Sequence, residues 1–182
     1  MEFFDVIDEN GLKTGEVVER EKAHRLGICH RVVQVWVINS NNEVLLQKRS
    51  LTKDSYPGKW YASLGGHIAT GEDNFQSIKR EFMEELGLDV SGMSNDIRYL
   101  YTFKEIEYLN GGEFIDNEFY DVYYLKIDID LDELVLQEDE VSEVKFITFK
   151  DFKKAIYDCD DTFWIHEEGF KLLIENLEPL LF

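Results

Sequence analysis

Three glutamates lie within one helical turn near the middle of the 182-residue chain, and their spacing is its clearest chemical signal. Glu81, Glu84 and Glu85 stand at i, i+3 and i+4, which places their carboxylates on one face of a helix. Carboxylates this close repel one another, and a divalent cation that prefers hard oxygen ligands cancels the repulsion. The spacing therefore indicates a site for Mg²⁺ or Mn²⁺. The alternative interpretation is a solvated acidic face, because short acidic motifs are common without a ligand.

The residues on either side are predicted to position this acidic turn. Gly65-Gly66 is expected to break regular structure and to let the backbone approach a ligand closely. The following TGED segment has the composition of a helix start, with Thr70 or Asp73 as the N-cap and acids in the first turn. The helix is expected to end at Gly87. Its predicted apolar stripe consists of Phe75, Ile78, Phe82 and Leu86.

Residues 66–88 resemble a complete Nudix box, Gly-x5-Glu-x7-Arg-Glu-U-x-Glu-Glu-x-Gly-U, where U is apolar. Nine constrained positions are filled at the required spacing, by Gly66, Glu72, Arg80, Glu81, Phe82, Glu84, Glu85, Gly87 and Leu88. The resemblance implies a Nudix-type α/β/α sandwich, in which a mixed β-sheet lies between helices. It also implies a metal-dependent hydrolase that cleaves a diphosphate linkage by water attack at phosphorus.

The resemblance also implies roles for individual residues. Glu81, Glu84 and Glu85 would carry the metal, with the carbonyl of Gly65 as a further ligand. Glu81 or a more distant acid would assist as the base. Arg80 and Glu72 would orient Glu81 rather than touch the substrate.

Several residues outside the box are candidates for the same site. Glu140 is the preferred distant acid, because it lies six residues before Phe146 of the predicted last strand; the alternative is a solvated loop charge. Arg49 ends a predicted strand and has the planar guanidinium that binds phosphate. Lys53 and Lys59 flank the same loop, and each of these cations has an ordinary surface position as its alternative.

The flanks of the box resemble the isopentenyl-diphosphate isomerase branch of the superfamily. The similar segments are HRVVQVWVIN, LLQKRSLTKDSYPGKWYASLGGHIATGE and DNEFYDVYYL. Trp164 resembles an aromatic residue that lines the isomerase pocket. The isomerases hold a metal with histidines and acids whose matching positions here are His24, His30, His67, Asp116 and Glu118. This implies a second site for Mn²⁺ or Zn²⁺; the alternative is a structural role for each histidine.

One position departs from the isomerases. They carry their catalytic cysteine where this chain has Gly65, and glycine has no side chain to move a proton at an allylic carbon. The isomerases also depart from the Arg-Glu and Glu-Glu positions of the Nudix box, whereas this chain matches every specified position. Hydrolysis is therefore the favoured function. The alternatives are an isomerase-like enzyme and a non-catalytic nucleotide-binding sensor.

Composition limits the partners and the location. The net charge of −19 disfavours a nucleic-acid polymer or an anionic membrane, and bound cations would reverse the sign locally for a small-molecule diphosphate substrate. Two cysteines do not support a disulfide framework. The acidic N-terminus lacks signal-peptide features, and no apolar run approaches the length of a membrane span. A cytoplasmic location is expected, and the oligomeric state is left open, with a homodimer as one alternative.

The pattern of elements predicts one Nudix domain over residues 1–182, with an N-terminal β-hairpin at 3–19, the box at 66–88 and C-terminal helices at 149–178. Substrate selectivity is expected from the 50–59 loop, the 107–117 hairpin and the segment around Trp164. The predicted strands span 3–8, 15–19, 31–39, 44–49, 61–64, 97–107, 118–129 and 143–148, and the closing helices span 149–158 and 162–177.

Overall fold

A mixed β-sheet lies between two layers of helices in the computed structural model, which describes residues 1–53 and 55–182. Asp54, inside the predicted 50–59 loop, lies outside the described residues. The strands are β1 (Phe3–Ile7), β2 (Lys13–Glu19), β3 (His30–Ile38), β4 (Glu43–Arg49), β5 (Trp60–Tyr61), β6 (Leu64–His67), β7 (Arg98–Leu109), β8 (Phe114–Lys126) and β9 (Val141–Thr148). The α-helices are α1 (Arg20–Leu26), α2 (Asn74–Leu86), α3 (Phe149–Tyr157) and α4 (Glu167–Leu181).

The main sheet is organised around β3. Its strand order is β5-β4-β3-β8-β7, with β6 paired to β3 and β9 paired to β4, while β1 and β2 form a separate hairpin. Strands β3 and β8 run parallel, whereas β6 is antiparallel to β3. The nearly continuous apolar run of β3 follows from burial of both of its faces. This confirms the predicted sandwich with a mixed sheet.

Helix α2 packs on one face of the sheet. It begins with a capping box in which the Asp73 carboxylate accepts from the Gln76 backbone N–H at 2.8 Å and the Gln76 side chain accepts from the Asp73 backbone N–H at 2.8 Å. It ends at Gly87, whose φ of 66° is the left-handed conformation that glycine adopts without strain. The core residues of the helix, which pack with Val33 and Val35 of β3, are Ile78, Phe82 and Leu86.

The predicted apolar stripe of α2 is wrong at one position. Phe75 is only half-buried and does not belong to the core of this face. Its ring lies instead beneath the Lys79 ammonium, 5.1 Å from the ring centroid. The stripe that anchors the helix is therefore one turn shorter than the sequence pattern suggests.

Helices α3 and α4 cover the opposite face of the sheet, where Phe152 and Phe170 pack against Trp36. Helix α4 begins at Glu167, five residues later than the predicted start at 162. The reason is that the preceding segment runs beside β5 as extended chain. The Trp60 N–H donates to the Thr162 carbonyl at 2.8 Å, and the Trp164 N–H donates to the Trp60 carbonyl at 3.0 Å.

Three further sequence predictions are corrected. Gly65-Gly66 does not break regular structure but lies within β6, opposite Gln34 and Val33 of β3. The sequence pattern predicts that residues 44–49 pair back on the preceding strand as a hairpin, but β4 meets β3 at one register pair, Ile38 with Val44, and otherwise pairs with β9 and β5. Strand β8 begins four residues before the predicted start at 118, which brings Asp116 into the sheet. Among the described residues, no helix has the length and apolar character needed to cross a bilayer.

We predict that replacing the fully buried Phe82 by Ala lowers the free energy of unfolding by about 3–5 kcal/mol, because a core cavity is added to the lost burial. Replacing Phe75 on the same helix is the matched control, with an expected loss of about 1 kcal/mol. Urea denaturation followed by circular dichroism measures both. Equal losses would mean that Phe75 is part of the core.

Candidate active site

A cleft of about 750 Å³ opens beside α2, between β6, the loop after β4 and the start of β8. It brings together the predicted site residues except His30, which is buried behind its wall, and Lys59. The predicted residues that line it are His24, Arg49, Lys53, Gly65, His67, Arg80, Glu81, Glu84, Glu85, Asp116, Glu118, Glu140 and Trp164.

The two glycines of β6 bring the backbone against the acidic turn. A Cβ atom on Gly66 would stand 2.1 Å from Cδ of Glu81, so a larger residue there would displace the Glu81 carboxylate. A Cβ atom on Gly65 would stand 3.7 Å from the Tyr61 ring, which is an ordinary contact. The group close to the Gly66 backbone is therefore the side chain of Glu81, and the approach of this backbone to a ligand stays a prediction.

Arg80 joins the acidic residues of the box. Its guanidinium donates to Glu81 Oε1 at 2.6 Å, to Glu72 Oε2 at 3.1 Å and to the His67 carbonyl at 2.9 Å. Glu72 also accepts from the Ser77 hydroxyl at 2.7 Å. Glu72 lies before the N-cap, and the first turn of α2 holds no acid, so the predicted acidic first turn is wrong. The geometry is the one expected if Arg80 and Glu72 orient Glu81.

Two of the three glutamates are buried. Glu81 is 8% exposed and Glu85 is 5% exposed, whereas the Glu84 side chain is 52% exposed. Burial raises the pKa of Glu81 to about 7, although Arg80 opposes the shift. Burial, and then the charge of Glu81, raise the pKa of Glu85 well above its ordinary value. These two carboxylates are thus held where ionisation is costly unless a positive charge accompanies it.

The donor set fits a hard divalent cation. Oε2 of Glu85 is buried without a hydrogen-bond partner among the described residues. An unsatisfied buried carboxylate oxygen costs free energy, and coordination to Mg²⁺ or Mn²⁺ removes that cost. Glu81, Glu84 and Glu85 would hold the ion, with the Gly65 carbonyl on the adjoining strand as a further predicted ligand.

The predicted cationic residues of the loop after β4 differ in position. Lys53 forms an ion pair with Glu140, and both residues line the cleft. Arg49 donates to the Ser55 carbonyl at 2.9 Å and to the Ser55 hydroxyl at 2.7 Å, and its guanidinium lies 4.9 Å from the Trp164 ring. Lys59 bonds to the Asp161 carbonyl and does not line the cleft. The roles of Glu140 and Arg49 toward a substrate stay predictions.

The predicted second metal group is assembled at the other end of the cleft. One ligand atom from each of His24, His30, His67 and Glu118 lies within 4.8 Å of the others. His30 donates from Nδ1 to the Ile28 carbonyl at 2.8 Å, which leaves Nε2 facing Glu118 at 3.1 Å. Asp116 Oδ1 lies 3.0 Å from His24 Nδ1, so Asp116 supports the group from its edge.

The protonation states of this group suit a metal. Burial lowers the pKa of His67 to about 4, so the imidazole is neutral at pH 7. Although burial raises the pKa of Glu118, its contacts with His30 and His67 hold that pKa well below its usual range. A neutral His67 imidazole beside an ionised carboxylate is a combination that Mn²⁺ and Zn²⁺ accept. Although burial lowers the pKa of His30, its hydrogen bond to Glu118 raises that pKa above the ordinary value, so an ion at Nε2 would have to displace a proton.

The N-terminal hairpin supports this end of the cleft, which the sequence did not indicate. The Phe4 ring is stacked 4.7 Å from the His30 ring and 4.6 Å from the His67 ring, and it is fully buried. Glu2 lines the cleft beside it and is bonded to Arg20 at 2.8 Å. An isolated strand pattern carries no signal for such contacts, because they depend on where the hairpin docks.

A sequence model of the NUDIX domain matches residues 29–163, and the chain therefore belongs to the NUDIX family. It is 39% identical over 158 residues to Nudix hydrolase 3 of Arabidopsis thaliana, covering 85% of this chain and 20% of that protein. It is 30% identical over 148 residues to an uncharacterized Nudix hydrolase of Listeria monocytogenes, covering 81% of this chain and 80% of that protein.

The chain is also similar to isomerases and to solved Nudix structures. It is 29% identical over 184 residues to isopentenyl-diphosphate Delta-isomerase 1 of Photorhabdus laumondii, covering 99% of both proteins. The crystal structure of DR0079 from Deinococcus radiodurans superposes with a TM-score of 0.67 at 23% identity, covering 86% of this chain and 90% of that one. The NUDIX domain of Shewanella oneidensis NrtR, complexed with ADP ribose, has a TM-score of 0.59 at 18% identity, covering 84% and 88%. These structures share the fold.

We predict that Gly66→Ala weakens Mg²⁺ binding by at least about 10-fold, because the added methyl group displaces the Glu81 carboxylate. Gly65→Ala on the same strand is the matched control and should bind Mg²⁺ as the unmodified protein does, since the space for a Cβ atom is present. Isothermal titration calorimetry with Mg²⁺ measures both affinities. Unchanged binding by the Gly66 variant would contradict the proposed ligand role of Glu81.

Proposed function

We propose that the chain is a metal-dependent pyrophosphohydrolase that cleaves the diphosphate linkage of a small organic diphosphate by water attack at phosphorus. The observation that carries the proposal is the buried Glu85 carboxylate beside Glu81, whose Oε2 atom has no hydrogen-bond partner among the described residues; both side chains face the cleft. Bound Mg²⁺ or Mn²⁺ would supply charge neutralisation and an activated water. Two relatives of the chain are named Nudix hydrolases, which supports hydrolysis as the class of reaction.

The protein residues would divide the remaining work. Arg80 and Glu72 hold the Glu81 side chain in place through charge-assisted hydrogen bonds. Glu81 or Glu140 accepts the proton of the attacking water. Glu140 is ion-paired with Lys53, and either this ion pair opens before proton transfer or Lys53 stays beside Glu140 as a positive charge. Arg49 and Lys53 bring positive charge to a wall where the phosphates of the substrate would lie.

The cleft and the charge of the chain support a proposed substrate class. A small-molecule diphosphate fits a cleft with cationic groups at one wall and the aromatic Trp164 beside them. The net charge of −19 opposes binding of a nucleic-acid polymer or an anionic membrane. Nucleoside diphosphate derivatives come first among the candidates, because fold neighbours are described with ADP ribose and as an Ap4A hydrolase.

The remaining parts of the proposal concern the whole chain. We propose that residues 1–182 form one domain, because the N-terminal hairpin and α4 both pack on elements of the matched region. We also propose a cytoplasmic location, in keeping with the two cysteines, neither of which is paired in a disulfide. The histidine group with Glu118 is proposed to hold Mn²⁺ or Zn²⁺.

We predict that Glu84→Gln and Glu85→Gln each lower kcat by at least about 100-fold, because each removes a charge that holds the cation against the diphosphate. The assay is a hydrolysis screen with Mg²⁺ or Mn²⁺ over nucleotide sugars, ADP-ribose, dinucleoside polyphosphates, thiamine diphosphate and prenyl diphosphates. Glu175→Gln, on the exposed face of α4, is the control and should retain full activity. Full activity of the box variants would remove the assignment, and tight nucleotide binding without product would indicate a sensor instead.

Isomerisation of a prenyl diphosphate is the second candidate function, favoured by the assembled histidine group and by the relatives named isomerases. The glycine at position 65 argues against isomerisation, because it has no side chain that could move the allylic proton. Packing does not force glycine there, since a Cβ atom would meet its nearest neighbour at 3.7 Å.

We predict that the protein incorporates no deuterium into isopentenyl diphosphate in heavy water, as followed by proton NMR. The Gly65→Cys variant tests whether the missing thiol is the reason that the protein does not isomerise prenyl diphosphates. Deuterium incorporation by that variant, and none by the unmodified protein, would support this explanation. Incorporation by the unmodified protein would establish the isomerase function in place of hydrolysis.

A further inference from the structure

A further group of potential ligands lies next to Trp164 and Tyr120, two aromatic residues that line the cleft. Glu105 and Glu107 of β7 and His166, the residue before α4, each offer one ligand atom, and these atoms lie within 4.8 Å of one another. None of these three residues lines the cleft or belongs to the group around Glu118. The group therefore needs an explanation separate from the two sites already described.

His166 is buried without the partners that a buried imidazole requires. It is 1% exposed, and neither ring nitrogen has a hydrogen-bond partner among the described residues. Its Nδ1 atom forms a close ion pair with Glu105 Oε2, so Nε2 is the ring nitrogen left without a hydrogen-bond or ion-pair partner among the described residues. Oε2 of Glu107 is also buried without a hydrogen-bond partner among the described residues, and Oε2 of Glu105 is buried with only its His166 ion pair. Buried polar atoms that converge on one point with few partners carry a free-energy cost, which a shared ligand would remove.

The register of the sheet increases this cost. Glu105 lies opposite Glu118 and Glu107 lies opposite Asp116 in the antiparallel pairing of β7 with β8. Like charges directly opposite one another destabilise a sheet. The two acids of β8 have three histidines near them, whereas the two acids of β7 have only His166 among the ligand groups of the described residues. A cation bound to Glu105 and Glu107 would offset the repulsion between the acids of the two strands.

The surroundings hold these ligand residues in place. The Tyr56 hydroxyl donates to Glu107 Oε1 at 2.8 Å, which leaves Oε2 as the unsatisfied atom. The His166 ring is packed between Trp164, at 4.6 Å between ring centroids, and Tyr120, at 5.1 Å. Hydrogen bonds to ligating carboxylates and packing around ligating histidines are typical features of metal sites.

We propose that Glu105, Glu107 and His166 form a further metal-binding site that takes a transition-metal dication such as Zn²⁺. One imidazole nitrogen and two carboxylate oxygens are ligands that Zn²⁺ accepts, and they suit it better than the all-oxygen preference of Mg²⁺. The ion would tie β7 to the start of α4 and, through Tyr56, to the loop after β4. It would thereby fix Trp164 and Tyr56, which are stacked at 4.5 Å, in the wall where substrate selectivity is expected.

The test is a count of bound Zn²⁺ per chain, by equilibrium dialysis of chelator-stripped protein and mass spectrometry of the metal. His166→Gln and Glu107→Gln should each lose one equivalent of Zn²⁺, and the double variant should also lose only one, because both residues serve one ion. His24→Gln is the matched control from the other histidine group, and its loss should add to that of His166→Gln. The Tyr56→Phe variant should bind Zn²⁺ about 10-fold more weakly at this site.

The outcomes separate the possibilities. A Zn²⁺ count in the His166 variant equal to that of the unmodified protein would overturn the proposal, as would additive losses in the His166 and Glu107 double variant. Circular dichroism in the near and far ultraviolet checks that each variant is folded. If His166→Gln does not fold, Glu107→Gln carries the test, because Glu107 is only half-buried. The readout is independent of hydrolytic activity, so failure of the proposed function would not affect it.

Discussion

Repulsion between buried carboxylates is the constraint on which the site depends. Glu81 and Glu85 lie on one turn of α2 and are both removed from water, which costs several kcal/mol per ion when no positive charge accompanies it. The helix maintains this arrangement because its opposite face is anchored in the core by Ile78, Phe82 and Leu86. Packing on one side of the helix therefore stabilises a charge arrangement on the other side that would not persist in an isolated peptide.

Strand β3 connects the acidic turn to the histidine group. Its antiparallel pairing with β6 places Gly66 beside Val33, and thus fixes the strand against which Glu81 packs. Its parallel pairing with β8 places His30 opposite Glu118. A one-residue slip in either register would turn the paired side chains to the other face of the sheet. The relative position of the two groups is thus set by backbone pairing within the core rather than by loops.

Local features of the site were predictable from sequence, and non-local ones were not. The spacing of Glu81, Glu84 and Glu85 and the end of the helix at Gly87 are local and follow from helix geometry. The pairing of β4 with β9 was missed, because two strands separated by about a hundred residues leave no mark in a single sequence. His166 was missed for the same reason. The patterns Glu-x-Glu in β7 and Trp-x-His before α4 have the period of extended chain, yet only the fold shows that they meet.

The parallel pairing of β3 with β8 has a consequence for how the protein is made. His30 and Glu118 are separated by 88 residues, so their contact closes a long loop and forms only after most of the chain is available. On the ribosome, the residues that precede Glu118 are synthesised first and expose three imidazoles without their carboxylate partner. An ion held by the proposed histidine site would therefore bind only after the sheet is complete, and it would mark chains that have finished folding.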